Sequence, residues 1–417
     1  MVEIRLAAQI LHLVIIDGKK YIEAVDEVFA NERKTFGSVN ISVVLAKNAI
    51  KHYFLYENIL HEFSVNLTNK QKCLLYIILT NNFYLHILSN NNCVSFIQKE
   101  IPEEEFKKLS PILKRKESLE DLISFEKSSD FYYATKYNVP IWLIHMWRKH
   151  FGDELVTEFL EASIHYDSQS YMVNTLKTTT DEIIKKYPDL TSPFEDMLIY
   201  NGTKRYQTTP EFKKDDYFDV KIGFKSLIDT VYNQFYETLI YSGYDDDFVK
   251  AAIVKSDRKQ SLNVAVPNLE NRAELLRFIR VNDIHNVNLF EAKDIYGLKA
   301  GVSYKQDVVI VFPKSTRFDI ASKYPDFLLH FDRDSLDEII KGEKESLELY
   351  SSYVNDGGTL IYLVNTLNKK ESFNLVKEFL DNHPEFELIK EEQLIASHPF
   401  GTTMYYAVLN HRGENND

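Results

Sequence analysis

The sequence predicts an all-helical first part followed by a doubly wound α/β sheet, with a small α/β subdomain between them. Three observations carry this. The first 125 or so residues show apolar stripes only at helical spacing. From about Asp219 onward, short β-branched runs alternate with amphipathic helical segments, the pattern of a parallel sheet with crossover helices. The 417 residues also exceed the roughly 250–300 that one core holds. The expected division is 1–129 helical, 130–218 linker helix and small α/β subdomain, and 219–417 the large sheet.

Leu6, Ile10, Leu13 and Val14 form the first stripe, Val43, Ala46, Ala49, Ile50, Tyr53 and Phe54 the second, and Leu74, Leu75, Ile78 and Leu79 the third. A charged segment, residues 102–121, follows. It contains Lys107 and Lys108 and then the run Lys114, Arg115 and Lys116, which reads either as a solvated helix face or as a phosphate contact. Residues 140–152 place Trp142, Trp147 and Phe151 at helical spacing, which favours a packing helix over base stacking. Residues 173–183 read as a strand running into a helix with Thr180 as N-cap. Expected strands are 263–266, 287–290, 307–312, 359–363, 386–389 and 404–409, with a long helix over 335–353.

Composition narrows the class. At 44% apolar and 27% charged, the chain is that of a folded soluble protein. Two cysteines give no disulfide framework, and no spacing suggests a metal. The longest apolar run, 73–88, is broken by Asn81 and Asn82 and falls short of the roughly 20 residues of a membrane span. No leader peptide is evident, so a cytoplasmic location without membrane contact is expected. The net charge of −13 is uneven: residues 1–150 hold 19 Lys and Arg against 17 Asp and Glu, and the remainder 30 against 45. Phosphate neutralisation dominates nucleic-acid affinity, so an RNA or ribosomal partner is expected at the N-terminal part and a protein partner at the acidic part.

The stretch 357–380, GGTLIYLVNTLNKKESFNLVKEFL, carries Gly357, Gly358, Leu360, Tyr362, Thr366 and Glu371. It resembles the strand motif of the RNA cytosine-C5 methyltransferases related to the bacterial 16S rRNA enzyme, the NOL1/NOP2/Sun family. Residues 140–152 and 173–183 resemble two further segments of that family, with Met172 where the family has Arg. The resemblance implies a class I, Rossmann-like methyltransferase fold ending in a reversed hairpin. It also implies a NusB-like helical domain in front and S-adenosylmethionine as methyl donor.

The residues that would carry this chemistry are altered. The family's nucleophile is a cysteine thiolate that attacks C6 of the pyrimidine; here Val364 and Asn365 stand in place of Thr-Cys, and an amide is no effective nucleophile. In 308–316, VVIVFPKST, Pro313 and Ser315 persist, but Lys314 replaces the second cysteine, Val311 the acid and Thr316 the glycine. Tyr324, Pro325 and Asp326 downstream support the register. On the cofactor side, residues 248–260 match the first strand and its turn but contain no glycine, which close backbone approach needs. Pro267 stands where an acid would bind the ribose, and Asp294 alone persists among the cofactor-contacting acids. The expectation is a catalytically inactive scaffold without cofactor. The alternative is an active S-adenosylmethionine-dependent rRNA cytosine methyltransferase with an unusual site. A third reading is a different reaction using Lys314, Asp294 or Asp257.

Overall fold

The apolar stripes become the buried faces of helices. In the computed structural model the described residues are 1–30, 36–165, 169–202, 204–232, 236–243, 246–256, 260–266, 269–291, 305–318, 324, 326–395 and 403–413. They divide into two compact units, Met1–Val156 with Ile320–Phe331, and Thr157–Asp319 with Asp332–Asp417.

In the first unit, the helices Val2–Ile15, Phe36–Lys51, Tyr53–Glu62 and Asn69–Thr80 bury Ile4, Ile10, Val14, Ala46, Ile50, Leu55, Leu75 and Leu79 in one core, and Leu6 is buried as well. Thr68 and Gln71 close a capping box at the start of Asn69–Thr80. The asparagines that interrupt the long apolar run lie in a π-helical turn, Asn81–Leu85, where the Asn81 Oδ1 accepts from the Leu88 N–H at 2.8 Å. The helix Ile141–Phe151 ends at Gly152 with φ +82°, and its Trp147 is fully buried, as expected of a packing aromatic. The returning segment is fastened here: the Tyr21 N–H donates to Asp326 Oδ2 at 2.9 Å, and Phe331 stacks on Trp142 at 6.2 Å.

The second unit holds two sheets. The small one comprises β1 Gln169–Val173, β2 Thr191–Phe194, β3 Met197–Tyr200 and β4 Tyr217–Asp219, antiparallel in the order β2-β3-β1-β4. The helix Thr180–Lys186 is capped by Thr179, one residue earlier than expected, because Thr179 can reach the Glu182 N–H while Glu182 bonds back. The large sheet comprises β5 Thr238–Gly243, β6 Ser261–Val266, β7 Val287–Glu291, β8 Gln306–Phe312, β9 Val354–Val364, β10 Phe386–Leu394 and β11 Met404–His411. Its order is β10-β11-β9-β8-β5-β6-β7; β5 to β9 run parallel, and β11 is reversed between β9 and β10. This is the Rossmann-like class I arrangement that the resemblance implies.

One expectation changes. The motif places the first strand and its turn at 248–260, but residues 248–255 lie in the helix Asp246–Lys255, and the strand is β5, ten residues upstream. β5 ends at Ser242 and Gly243, so one glycine lies at the carboxyl end of this strand. The two sheets are joined through polar contacts, those of Asn174 fully buried. The Asn174 Nδ2 donates to Asn282 Oδ1 at 2.7 Å and to the Asp215 carbonyl at 2.8 Å, the Arg277 guanidinium grips Asp215 with both terminal nitrogens, and Lys255 pairs with Asp196.

Candidate functional site

β8 and β9 are parallel neighbours, with Val311 opposite Tyr362, so the segments that follow them emerge side by side at their carboxyl ends. Ligands of open α/β sheets bind at this edge. Lys314 is exposed after β8 and has no ion-pair or hydrogen-bond partner among the described residues. Asn365 is fully buried after β9, and neither amide atom has a hydrogen-bond partner there. The Ser315 Oγ donates to the Asn365 carbonyl at 3.2 Å, which ties the two segments together.

Behind them lies a polar knot built on Glu371. Its carboxylate accepts from the Thr316 N–H at 2.8 Å, the Thr316 hydroxyl at 2.9 Å, the Thr366 hydroxyl at 2.7 Å and the Asn368 amide at 2.9 Å. The Tyr362 hydroxyl donates to the Glu371 carbonyl. Thr316 and Thr366 therefore brace the two segments against one buried acid. Burial raises the Glu371 carboxyl, and these donors offset only part of that rise. Beside it sits Glu343, also fully buried; burial first, and Glu371 second, push it well above the ordinary carboxylate range. Glu343 escaped the sequence reading because an acid on a charged helix reads as solvated. The signal was its place on the apolar stripe with Leu336, Leu347 and Tyr350.

No thiol lies in this unit. Cys73 and Cys93 are buried in the helical unit; burial and the nearby Glu57 push Cys73 up to about 12, and burial raises Cys93. On the cofactor side, Tyr241 of β5 stacks on Phe248 at 5.4 Å, and Phe224 meets both Phe248 and Phe312 edge-on. A Cβ added at Gly243 would lie 2.5 Å from the Tyr241 hydroxyl and 2.7 Å from the Phe312 Cβ. This glycine thus makes room for the protein's own aromatic rings. Pro267, Asp294 and Asp257 lie outside the described residues.

In the charged segment, Lys107 pairs with Glu103, Lys108 with Glu105, and Arg115 with Glu117 and Asp121. Lys114 and Lys116 are exposed and form no side-chain ion pair within 4 Å among the described residues, although Lys116 lies near enough to Glu117 to help lower its carboxyl. No group of three His, Cys, Asp or Glu able to hold a metal occurs among the described residues, and none of their helices is long and apolar enough to cross a membrane.

No family model matches the chain. A probable ribosomal RNA small subunit methyltransferase B of Bacillus subtilis is 23% identical over 278 residues, which is 61% of this chain and 58% of that protein, so the chain matches under two thirds of that relative's length. The chain is thus similar to an rRNA methyltransferase of the kind its motifs resemble. Solved structures show the same fold. The PH0851 protein superposes with a TM-score of 0.69 at 18% identity, covering 98% of both chains. NSun6 from Pyrococcus horikoshii gives 0.55 at 11% identity, covering 64% of this chain and 97% of its own.

Proposed function

We propose that this relative of the rRNA methyltransferases is catalytically silent and acts as a scaffold for RNA, a ribosomal particle or a protein. The observation that carries the reading is the pair at the carboxyl ends of β8 and β9. An exposed Lys314 and a buried Asn365 amide stand where the family places its two cysteines, and neither can form a thioether to C6 of a pyrimidine. The aromatic packing around Gly243 supports the same reading, since S-adenosylmethionine needs open backbone at that turn. RNA is assigned to the helical unit, where Lys114 and Lys116 are uncommitted, and a protein contact to the acidic unit.

The alternative, an active cytosine methyltransferase, draws on the Bacillus subtilis relative. The deciding experiment supplies the purified chain with radiolabelled S-adenosylmethionine and small-subunit rRNA, alongside pull-down from native lysate with RNA sequencing and mass spectrometry. Co-purifying RNA or ribosomal proteins without methyl transfer is the expected result. Methylated cytosine in the rRNA would overturn the proposal.

A further inference from the structure

The helix Ser335–Ser351 packs on β8, β9 and the helix Phe373–Asn382. On the face it buries, Glu343 has no hydrogen-bond donor to either carboxyl oxygen among the described residues, and a buried carboxylate in that state is costly. It faces Glu371, which is saturated differently: one oxygen accepts three donors, and the other accepts only the Thr316 N–H and keeps a free lone pair. Two carboxylates cannot accept from each other, so the pair is satisfied only when one of them carries a proton. Glu371, with four donors, is the better anion, and Glu343, with none, is the better acid.

We propose that Glu343 is kept as a neutral carboxylic acid whose O–H donates to the Glu371 carboxylate, so that one shared proton fastens the Ser335–Ser351 helix to the segments following β8 and β9. The other titratable groups around it do not compete. Tyr362 of β9 is fully buried and raised by burial, Tyr405 of β11 lies beyond it, and the Tyr362 hydroxyl is spent on the Glu371 carbonyl. The acid of β8, Asp307, sits at the strand's opposite end, bonded to the backbone of Glu237 and Thr238. On Phe373–Asn382, Glu378 is taken by Lys344; Lys377 and Asp381 belong to the same helix, whose buried face is Leu375, Val376 and Phe379.

The native state then holds a proton that the unfolded chain releases above about pH 4.3. Because the unfolded state binds fewer protons, stability falls as pH rises from there towards the folded-state value of Glu343. The device is thus engaged below the folded-state value of Glu343 and released as pH rises through it. It is independent of whether the chain transfers methyl groups.

The test is equilibrium unfolding of the full chain across pH, compared with Glu343→Gln, whose amide donates to Glu371 at every pH. The wild-type unfolding constant is expected to rise about tenfold per pH unit relative to the variant within this window. Infrared spectroscopy at neutral pH should show a protonated-carboxyl C=O band that the variant lacks. Glu343→Met serves in its place if the Gln variant does not fold. Parallel stability curves, or no band assignable to Glu343 in the wild-type chain, would overturn the proposal.

Discussion

Replacing Lys114 and Lys116 together by Ala probes the RNA assignment most directly. Their neighbours already have carboxylate partners within the same segment: Lys107 with Glu103 at 2.8 Å, Lys108 with Glu105 at 2.9 Å, and Arg115 with Glu117 and Asp121 at 3.7 and 3.5 Å. A cation already neutralised releases fewer phosphate counterions on binding, so Lys114 and Lys116, which make no close ion pair among the described residues, should carry most of the salt dependence. Each phosphate contact to single-stranded RNA contributes about 0.7 to the log–log slope of affinity against salt, so losing both flattens it by about 1.4. Over a fourfold rise in salt, the wild-type advantage over the variant then shrinks about sevenfold. Fluorescence anisotropy of labelled single-stranded RNA with the full chain, titrated at several salt concentrations, reads this directly. The Lys107→Ala, Lys108→Ala pair is the control and should change the slope by less. An unchanged slope in the Lys114, Lys116 variant, or an equal change in the control, would refute the reasoning and leave the run as a solvated helix face.

Other outcomes follow from the sheet unit. Isothermal calorimetry should detect no S-adenosylmethionine binding, and a micromolar dissociation constant would show that the turn after β5 has been misread. Restoring both thiols with Lys314→Cys and Asn365→Cys should not produce methyl transfer, because the surroundings of Gly243 stay filled; activity in that double variant would contradict this. Asn174→Ala removes donors from Asn282 and from the Asp215 carbonyl, and should cost about 2–4 kcal/mol in denaturant unfolding. A loss below about 0.5 kcal/mol would mean that the joint between the sheets lies elsewhere.

What the sequence revealed follows from which residues carried local signals. The glycines opening 357–380 were legible, and the structure shows their use: Gly357 has φ +75°, and a Cβ on Gly358 would meet the Asn355 and Asp307 carbonyls at 2.9 and 3.0 Å. Strands β6 to β11 were found from their apolar runs. β5 was missed because a short buried parallel strand has no alternation to announce it, while the neighbouring helix holds Val249, Ile253 and Val254, residue types that read as strand. The error moved the expected cofactor turn by a whole element. Glu343 was hidden for a different reason, since its charge outweighed its place on the apolar stripe of Leu336, Leu347 and Tyr350. The ion pairs of Lys107 and Lys108 were within reach of sequence reasoning, since these lysines lie four and three residues, respectively, from their acids.

The return of 320–331 to the helical unit dictates how this protein can be taken apart. A fragment ending at Val156 would lack Asp326, stranding the Tyr21 N–H, and would lack Phe331, baring one face of Trp142. The complementary fragment, starting at Thr157, would carry that twelve-residue excursion with its native neighbours deleted. No single cut separates the units cleanly, so loss of binding by either piece would report misfolding as readily as a missing contact. Dissection by point substitution, or a fragment in which 320–331 is grafted back onto the helical unit, is the route that keeps both cores intact.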